Sequence, residues 1–300
     1  MTEQIRLTRA LPTTWRAPGV LQVGVDRRAG LILEGVPEGT AEAVRALAFG
    51  HCREDLERAV PDLSPAWLDW LLERLSEAGL LEASAPRSKG VSIVGHGPLA
   101  EQVAAQVLAA GFARVALISA QVRPTAGVPR RSRLVADRLT AKFRATQVTA
   151  RSLWLDSHEF SDDLVIVAGD ECEPDRTVTE RLLRENRAHL VVRVSSGAGL
   201  VGPLILPGRT PCLRCEDLHR CESDPAWPQI LAQLFHQSSC PPPLVTGWAA
   251  ITAALHAATF AAGHLPDSVG NVLELDPVDS LIRVRPGRSH SRCGCLALVA

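Results

Sequence analysis

The chain has 300 residues, enough for one large domain or two ordinary ones, and 46% of them are apolar, so a sizeable core can be buried. Lysine plus arginine (32) nearly equals aspartate plus glutamate (33), giving a net charge of −1; this argues against a dedicated nucleic-acid surface, because neutralising phosphates needs a basic excess. Residues 1–10 are polar and lack the apolar stretch of a secretion signal, so the eight cysteines are expected to sit in the reducing cytoplasm, where thiols serve metals rather than disulfides.

The first 85 residues read as a small α+β unit. Leu21, Val23 and Val25 alternate as on a half-buried strand, residues 26–30 form a turn, and 31–36 form a second strand. Helices are expected over 40–49, stopped by Gly50, and over 53–60. The third helix is the clearest: Ser64 can cap it, Pro65 suits its first position, Leu68, Leu71, Leu72 and Leu75 make one apolar face, and Gly79 ends it. Leu80 and Leu81 suit a last short strand. Two strands and three helices of this size describe a winged-helix-like module over 1–85. Residues 82–89, rich in Ala, Ser, Pro and charge, read as a linker.

Residues 86–300 read as an α/β, Rossmann-like domain. An apolar strand at 91–94 runs into Gly95-His96-Gly97-Pro98-Leu99-Ala100, and a helical pattern follows through Val103 and Val107 to Gly111. Gly95 and Gly97 allow a tight turn, and the helix N-terminus offers free N–H groups to a phosphate, although βα turns use glycine without a nucleotide as well. A strand at 114–118 completes a βαβ unit. A buried strand at 163–168 ends in Gly169-Asp170. The Asp170 carboxylate can serve Mg²⁺ at the crevice, or it can cap a helix or turn. A helix at 177–186, strands at 190–194 and 200–206, a helix at 247–262 and a hairpin at 272–275 and 281–284 complete the reading. The longest apolar run, 245–263, is rich in Ala and Thr and carries Trp248 and His256, so it reads as a core helix and not a membrane span.

Cys212-Leu-Arg-Cys215 and Cys293-Gly-Cys295 form two close pairs nearly eighty residues apart. Four thiolates brought together match the tetrahedron that Zn²⁺ prefers in structural sites. The alternative is two reducible pairs or buried thiols. His219 and His290 flank these pairs; they can either contact the cluster from just outside it or lie at the surface, and the surface is the first expectation. Cys52 and Cys221 read as buried or helix-end thiols, and Cys172 falls close to the crevice. Cys240 precedes the 247–262 helix, but no adjacent Lys or Arg lowers its pKa toward that of a nucleophile.

The glycine-rich start, the Asp-terminated strand, Gly208-Arg-Thr-Pro-Cys212-Leu-Arg-Cys215 and the late cysteine pair, in this order, resemble the E1/ThiF superfamily, whose members adenylate the C-terminus of a small protein or peptide. A narrower resemblance is carried by residues 21–26 and 30–35, by Cys215-Glu216-Asp217-Leu218-His219-Arg220, by Asp224-Pro225-Ala226-Trp227-Pro228 and by the His290…Cys293-Gly-Cys295 ending. These look like the ThiF-like leader-peptide-binding (cyclodehydratase partner) proteins of azole/azoline-modified peptide biosynthesis. The resemblance implies an N-terminal module that binds a precursor or leader peptide by strand addition, with the flank of the third helix (Trp67, Trp70, Arg74) as one wall. It also implies a separate partner modifying enzyme and a homodimer through the E1-like domain. For ATP and Mg²⁺ it points to Gly95, Gly97 and Asp170, with Arg131 in the place of the phosphate-binding lysine. Against nucleotide chemistry, Ser119 stands where the family has a ribose-binding acid, Ala100 replaces the third glycine, and the loop at 120–130 is short for the arginine segment. The expectation is therefore a non-adenylating E1-like scaffold; the alternative is an ATP-dependent adenylyltransferase with a diverged nucleotide site.

Overall fold

The computed structural model describes residues 4–8, 11–25, 30–81, 90–119, 128–143, 146–151, 162–239 and 242–297, without the side chains of 4 and 128–131. The chain divides into two compact units, Met1–Ala85 and Pro86–Ala300.

The first unit contains β1 (Gln4–Ile5), β2 (Thr13–Ala17), β3 (Val20–Val23), β4 (Leu31–Glu34), α1 (Thr40–Leu47), β5 (His51–Cys52), α2 (Arg53–Ala59) and α3 (Pro65–Glu77). β2, β3 and β4 form an antiparallel sheet in that order, and β1 pairs with β5. Leu21, Val23 and Leu33 from the sheet pack with Val44, Leu47, Leu56, Leu68, Leu71 and Leu75 from the helices in one core. The third helix begins as its sequence dictates. Ser64 accepts a hydrogen bond from the Trp67 N–H at 3.3 Å, and Pro65 opens the first turn. Leu81 bridges to Leu7. β1, β2 and β5 have no counterpart in the sequence reading. Four of the five β2 residues are exposed, so no alternation of apolar and polar residues marks the strand.

The second unit contains β6 (Gly90–Val94), α4 (Pro98–Ala109), β7 (Arg114–Ile118), α5 (Val128–Lys142), β8 (Gln147–Arg151), β9 (Leu164–Ala168), α6 (Arg176–Arg184), β10 (His189–Ser195), β11 (Ala198–Ile205), α7 (Leu213–Ser223), α8 (Trp227–Leu234), α9 (Pro243–Ala261), β12 (Asn271–Asp276) and β13 (Leu281–Pro286). One eight-stranded mixed sheet runs β13-β12-β11-β10-β9-β6-β7-β8. Its β10-β9-β6-β7-β8 part is parallel, and β11, β12 and β13 continue it antiparallel. β6, β7, β9 and α4 give the Rossmann-like α/β arrangement. β6 and β9 are buried throughout, as strands covered on both faces must be. On one face the core joins β6, β9 and β10 to α4 and α9; on the other, Val178 and Leu182 of α6 pack on Val94, Ile118 and Val165. α9 starts four residues earlier than the sequence pattern predicts, with Pro243 in its first turn and no charged residue along its length. Seven of its residues are buried against the unit, as expected of a core helix.

Candidate functional site

The glycine turn is built as the βα pattern requires. Gly95 (φ +152°) and Gly97 (φ +96°) occupy backbone conformations that side chains disfavour. A Cβ at Gly95 would overlap the Ala168 carbonyl, and one at Gly97 would overlap the Asp170 carboxylate. Asp170 thus lies directly over the start of α4. Its Oδ1 accepts the Leu99 N–H at 3.1 Å, from a residue 71 positions away. The carboxylate therefore caps the N-terminus of α4, taking one of its free N–H groups. The segment at 237–239 lies over the next residues: the Cys172 N–H donates to the Gln237 carbonyl at 2.8 Å, and both the N–H and the hydroxyl of Ser239 donate to the Asp170 carbonyl.

A small cavity of about 20 Å³ opens beside Gly95, Gly97, Ser132 and Val135. Glu171 lies 3.6 Å from His96, and Glu101 of α4 takes Arg138 at 3.5 Å. Ser119 is buried, and its hydroxyl has no hydrogen-bond partner among the described residues. Arg131 lies in α5, its side chain outside the described residues. Residues 120–127 and Cys240 lie outside them as well. Among the described residues, carboxylates crowd this crevice and Arg138, itself paired, is the nearby guanidinium.

The four cysteines come together. Cys212 caps the start of α7 and Cys215 lies in its first turn, so one helix end presents both sulfurs. Cys212 Sγ lies 3.5 Å from Cys293 Sγ, Cys215 Sγ lies 3.4 Å from Cys295 Sγ, and all four lie within 4.8 Å of one another. Sulfurs on a tetrahedron with bonds of about 2.3 Å would stand about 3.8 Å apart, so the donor set fits one Zn²⁺. Burial raises Cys215, but backbone hydrogen bonds at Cys212 and His290 and contacts with Cys295 and Cys293 outweigh it and hold the thiol below its usual pKa. Burial pushes Cys295 up to about 12 and raises Cys212 too. Without a cation, one thiolate in the cluster is favoured at the expense of its neighbours; a dication removes that conflict.

His290 is not at the surface but takes the alternative position, in contact with the cysteine cluster. It is buried, its N–H donates to Cys215 Sγ at 3.4 Å, and its Nε2–H reaches Glu222 at 2.8 Å, while its Nδ1 accepts the Arg292 N–H. His219 is half-exposed and packs edge-on against it. The knuckle is thus held by hydrogen bonds around the sulfurs as well as by the sulfurs themselves.

The charged run after Cys215 forms a clamp that sequence reasoning could quote but not interpret. Arg176 of α6 makes a two-pronged contact with Asp217 at 2.7 and 2.9 Å and reaches Glu173 at 3.0 Å. The Trp227 indole N–H donates to Asp217 at 3.0 Å, and Arg220 stacks over the Trp227 ring. Arg193 of β10 is buried beside Glu173 and Glu216. The network ties α6, α7 and α8 to the sheet. A groove of about 780 Å³ opens beside it, between α7 and the base of the β12–β13 hairpin.

In the first unit, a groove of about 770 Å³ is lined by Trp15, Arg16 and Ala17 of β2, by Glu38 and Glu42 at α1, and by residues 59–62. β2 and β4 are the outer strands of their sheet, so each leaves an edge unpaired within the described residues. Trp67 and Trp70 of α3, predicted as one wall, stack on each other at 4.6 Å between ring centroids and are half-buried against the core. Arg74 is engaged by Glu73 and Glu77.

No protein-family profile matches the chain, and no curated protein matches it by sequence. Its fold, however, is found in solved structures. The microcin C7 biosynthetic enzyme MccB in complex with N-formylated MccA superposes with a TM-score of 0.60 at 14% identity, over 98% of this chain and 99% of that one. E. coli MccB with ATP superposes with a TM-score of 0.59 at 12% identity, over 98% and 99%. The heterocyclase TruD superposes with a TM-score of 0.57 at 15% identity, over 98% of this chain but 43% of TruD. The chain shares its fold with MccB along its whole length and with less than half of TruD.

Proposed function

We propose that this chain is an E1-like scaffold that captures a precursor or leader peptide on its N-terminal winged-helix-like unit and presents it to a separate modifying enzyme in the cytoplasm, without adenylating it. Asp170 supports the non-adenylating half of this reading: its carboxylate takes the Leu99 N–H at the start of α4, a donor that an open phosphate turn would leave free. In this reading Cys212, Cys215, Cys293 and Cys295 hold a structural Zn²⁺ that fixes the end of the chain against α7. Support for peptide capture comes from the edges of the β2–β3–β4 sheet, which pair with no further strand among the described residues and so suit an added one. It also comes from the MccB fold having been solved with the MccA peptide. A separate enzyme is consistent with the chain matching 43% of TruD, a longer protein described as a heterocyclase. The second reading, an ATP-dependent adenylyltransferase, is favoured by the MccB fold having been solved with ATP.

Binding of any short Cys/Ser/Thr-rich precursor found encoded beside the gene, followed by fluorescence anisotropy on the full chain, tests the capture role. Trp15→Ala should weaken binding by at least about tenfold if the groove along β2 is the seat, since a tryptophan in such a groove is a typical anchor. Loss on Trp70→Ala instead would move the seat to the flank of α3. No binding to any neighbouring precursor would end the capture reading.

A further inference from the structure

The groove along β2 has a charge of its own. Trp15 pairs with Leu21, which is wholly inside the core; directly opposed residues share a face, so the indole stands on the helix side of the sheet. It is nonetheless 40% exposed, because the groove separates β2 from the start of α1 and from the turn before α3. Among the described residues, no cation lies over its ring. Past Trp15 the register shifts, and Arg16 sits in the bulge with no β3 residue opposite. Three exposed carboxylates, Glu38, Glu42 and Asp62, line the groove against the guanidinium of Arg16. Arg45 takes Glu42 at 3.2 Å. The arginines of α2 and α3 are likewise matched, Arg53 with Glu57, Arg58 with Asp55 and Arg74 with Glu77. Glu38 and Asp62 have no ion pair among the described residues. Residues 1–85 hold thirteen side-chain carboxylates and nine guanidinium groups, a net charge of −4 where the whole chain has −1, and these two carboxylates are part of that excess.

We propose that this groove seats an arginine or lysine of the captured peptide, its cation over the Trp15 ring and beside Glu38 and Asp62. The proposal rests on the peptide-capture reading and adds the class of peptide: a strand with a basic residue on the face toward the helices. An exposed indole face attracts a cation, and unpaired carboxylates at its side add to that attraction. An apolar side chain would cover the indole as well, but it would take both carboxylates out of water without a partner, which is costly. An acidic side chain would meet them with its own charge. Arg16 can answer one of the two carboxylates and leaves the other open. Next-but-one residues of an added strand face the same way, so the neighbours of the basic residue on that face are expected to be small or apolar, to suit Ala17, Val60 and Pro61.

Selection from a displayed library of random peptides of about ten residues, long enough for one strand, on the immobilised full chain tests this. The enriched sequences should share an arginine or lysine at one position. The best of them, labelled with fluorescein and followed by anisotropy, should bind about tenfold more weakly when that residue is replaced by glutamine, the combined effect of a cation–π contact and a half-exposed ion pair. On the full chain carrying Glu38→Gln and Asp62→Asn together, most of that preference should vanish, while the glutamine peptide binds as it does to the wild type and so reports an intact fold. Glu54→Gln, which removes a charge from α2 outside the groove, should leave the preference as it was. Enrichment without a basic residue overturns the proposal and leaves peptide capture standing. A preference that survives the double substitution, or that Glu54→Gln reduces as much, overturns it too, because the attraction would then belong to the charge of the whole unit. No enrichment at all also overturns it, and peptide capture then stands or falls with the precursor assay above.

Discussion

Serine at Cys293 removes one of the four sulfurs and with it the tie between the start of α7 and the C-terminal knuckle. The size of the effect follows from chain entropy. Cys215 and Cys293 bracket a loop of roughly 80 residues, and a cross-link across a loop of that length restrains the unfolded chain by about 4.5 kcal/mol. The hydrogen bonds from His290 to Cys215 and Glu222 remain, but both depend on the knuckle staying in place. At roughly 2–4 °C per kcal/mol for a unit of this size, the transition of the second unit should fall by about 9–18 °C. Scanning calorimetry combined with metal analysis reads both quantities on the same sample. Wild-type protein should carry about one zinc per chain, and a strong chelator should lower its transition to that of Cys293→Ser while leaving the variant unchanged. Wild-type protein without zinc would refute the reasoning. So would a substitution that removes the metal and leaves the transition where it was.

Asp170→Ala deletes the acceptor for the Leu99 N–H at the positive end of α4 and should cost about 1–2 kcal/mol, a fall of a few degrees in calorimetry; an unchanged transition would show that the carboxylate does not cap the helix. His189 is fully buried, with its Nδ1–H donating to the Arg187 carbonyl, and burial pushes its pKa down to about 4. Between the unfolded value near 6.5 and that folded value, the unfolded chain takes up a proton that the native one refuses. Stability should therefore fall as the pH drops through this window, by up to about 3 kcal/mol. His189→Asn should remove that part of the slope in denaturant unfolding; an identical slope would place the titration elsewhere. Glu216 is raised by its burial but lowered more by Arg193 and Arg220, so its folded pKa lies below the ordinary value. Its contribution is present above the unfolded carboxylate range and is lost as the pH falls through the depressed value, and Glu216→Gln should flatten the acid limb of the same unfolding series.

Elements with a repeating apolar pattern were legible. The strand at 114–118, the hairpin from 271 to 286 and α3 with its Ser64 cap could be read from local sequence: the first as a short apolar run, the second from its β-branched and apolar residues on either side of a turn, and the third from its apolar face and cap. Elements without such a period were not. α7 buries only Leu213 and Cys215, and its Glu216, Asp217 and Arg220 meet partners on β10, α6 and α8, so no apolar period marks it. β2 and β8 are edge strands with few buried residues. For the site, the paired cysteine spacings indicated a metal cluster because each pair needs only a local turn. The role of Asp170 was left between two options, since its partner Leu99 is brought close only by the parallel pairing of β6 and β9. His290 was expected at the surface because nothing nearby in sequence announces Glu222 or Cys215, some seventy residues earlier.

The central claim is that this fold holds a peptide without activating it. ATP–pyrophosphate exchange by the full chain, with and without the neighbouring precursor peptide at a concentration that saturates binding, tests it most directly. The account predicts exchange at background in both cases while the peptide is bound. Peptide-stimulated exchange that disappears in Asp170→Ala would contradict it, and would assign Asp170 to the metal of a working nucleotide site.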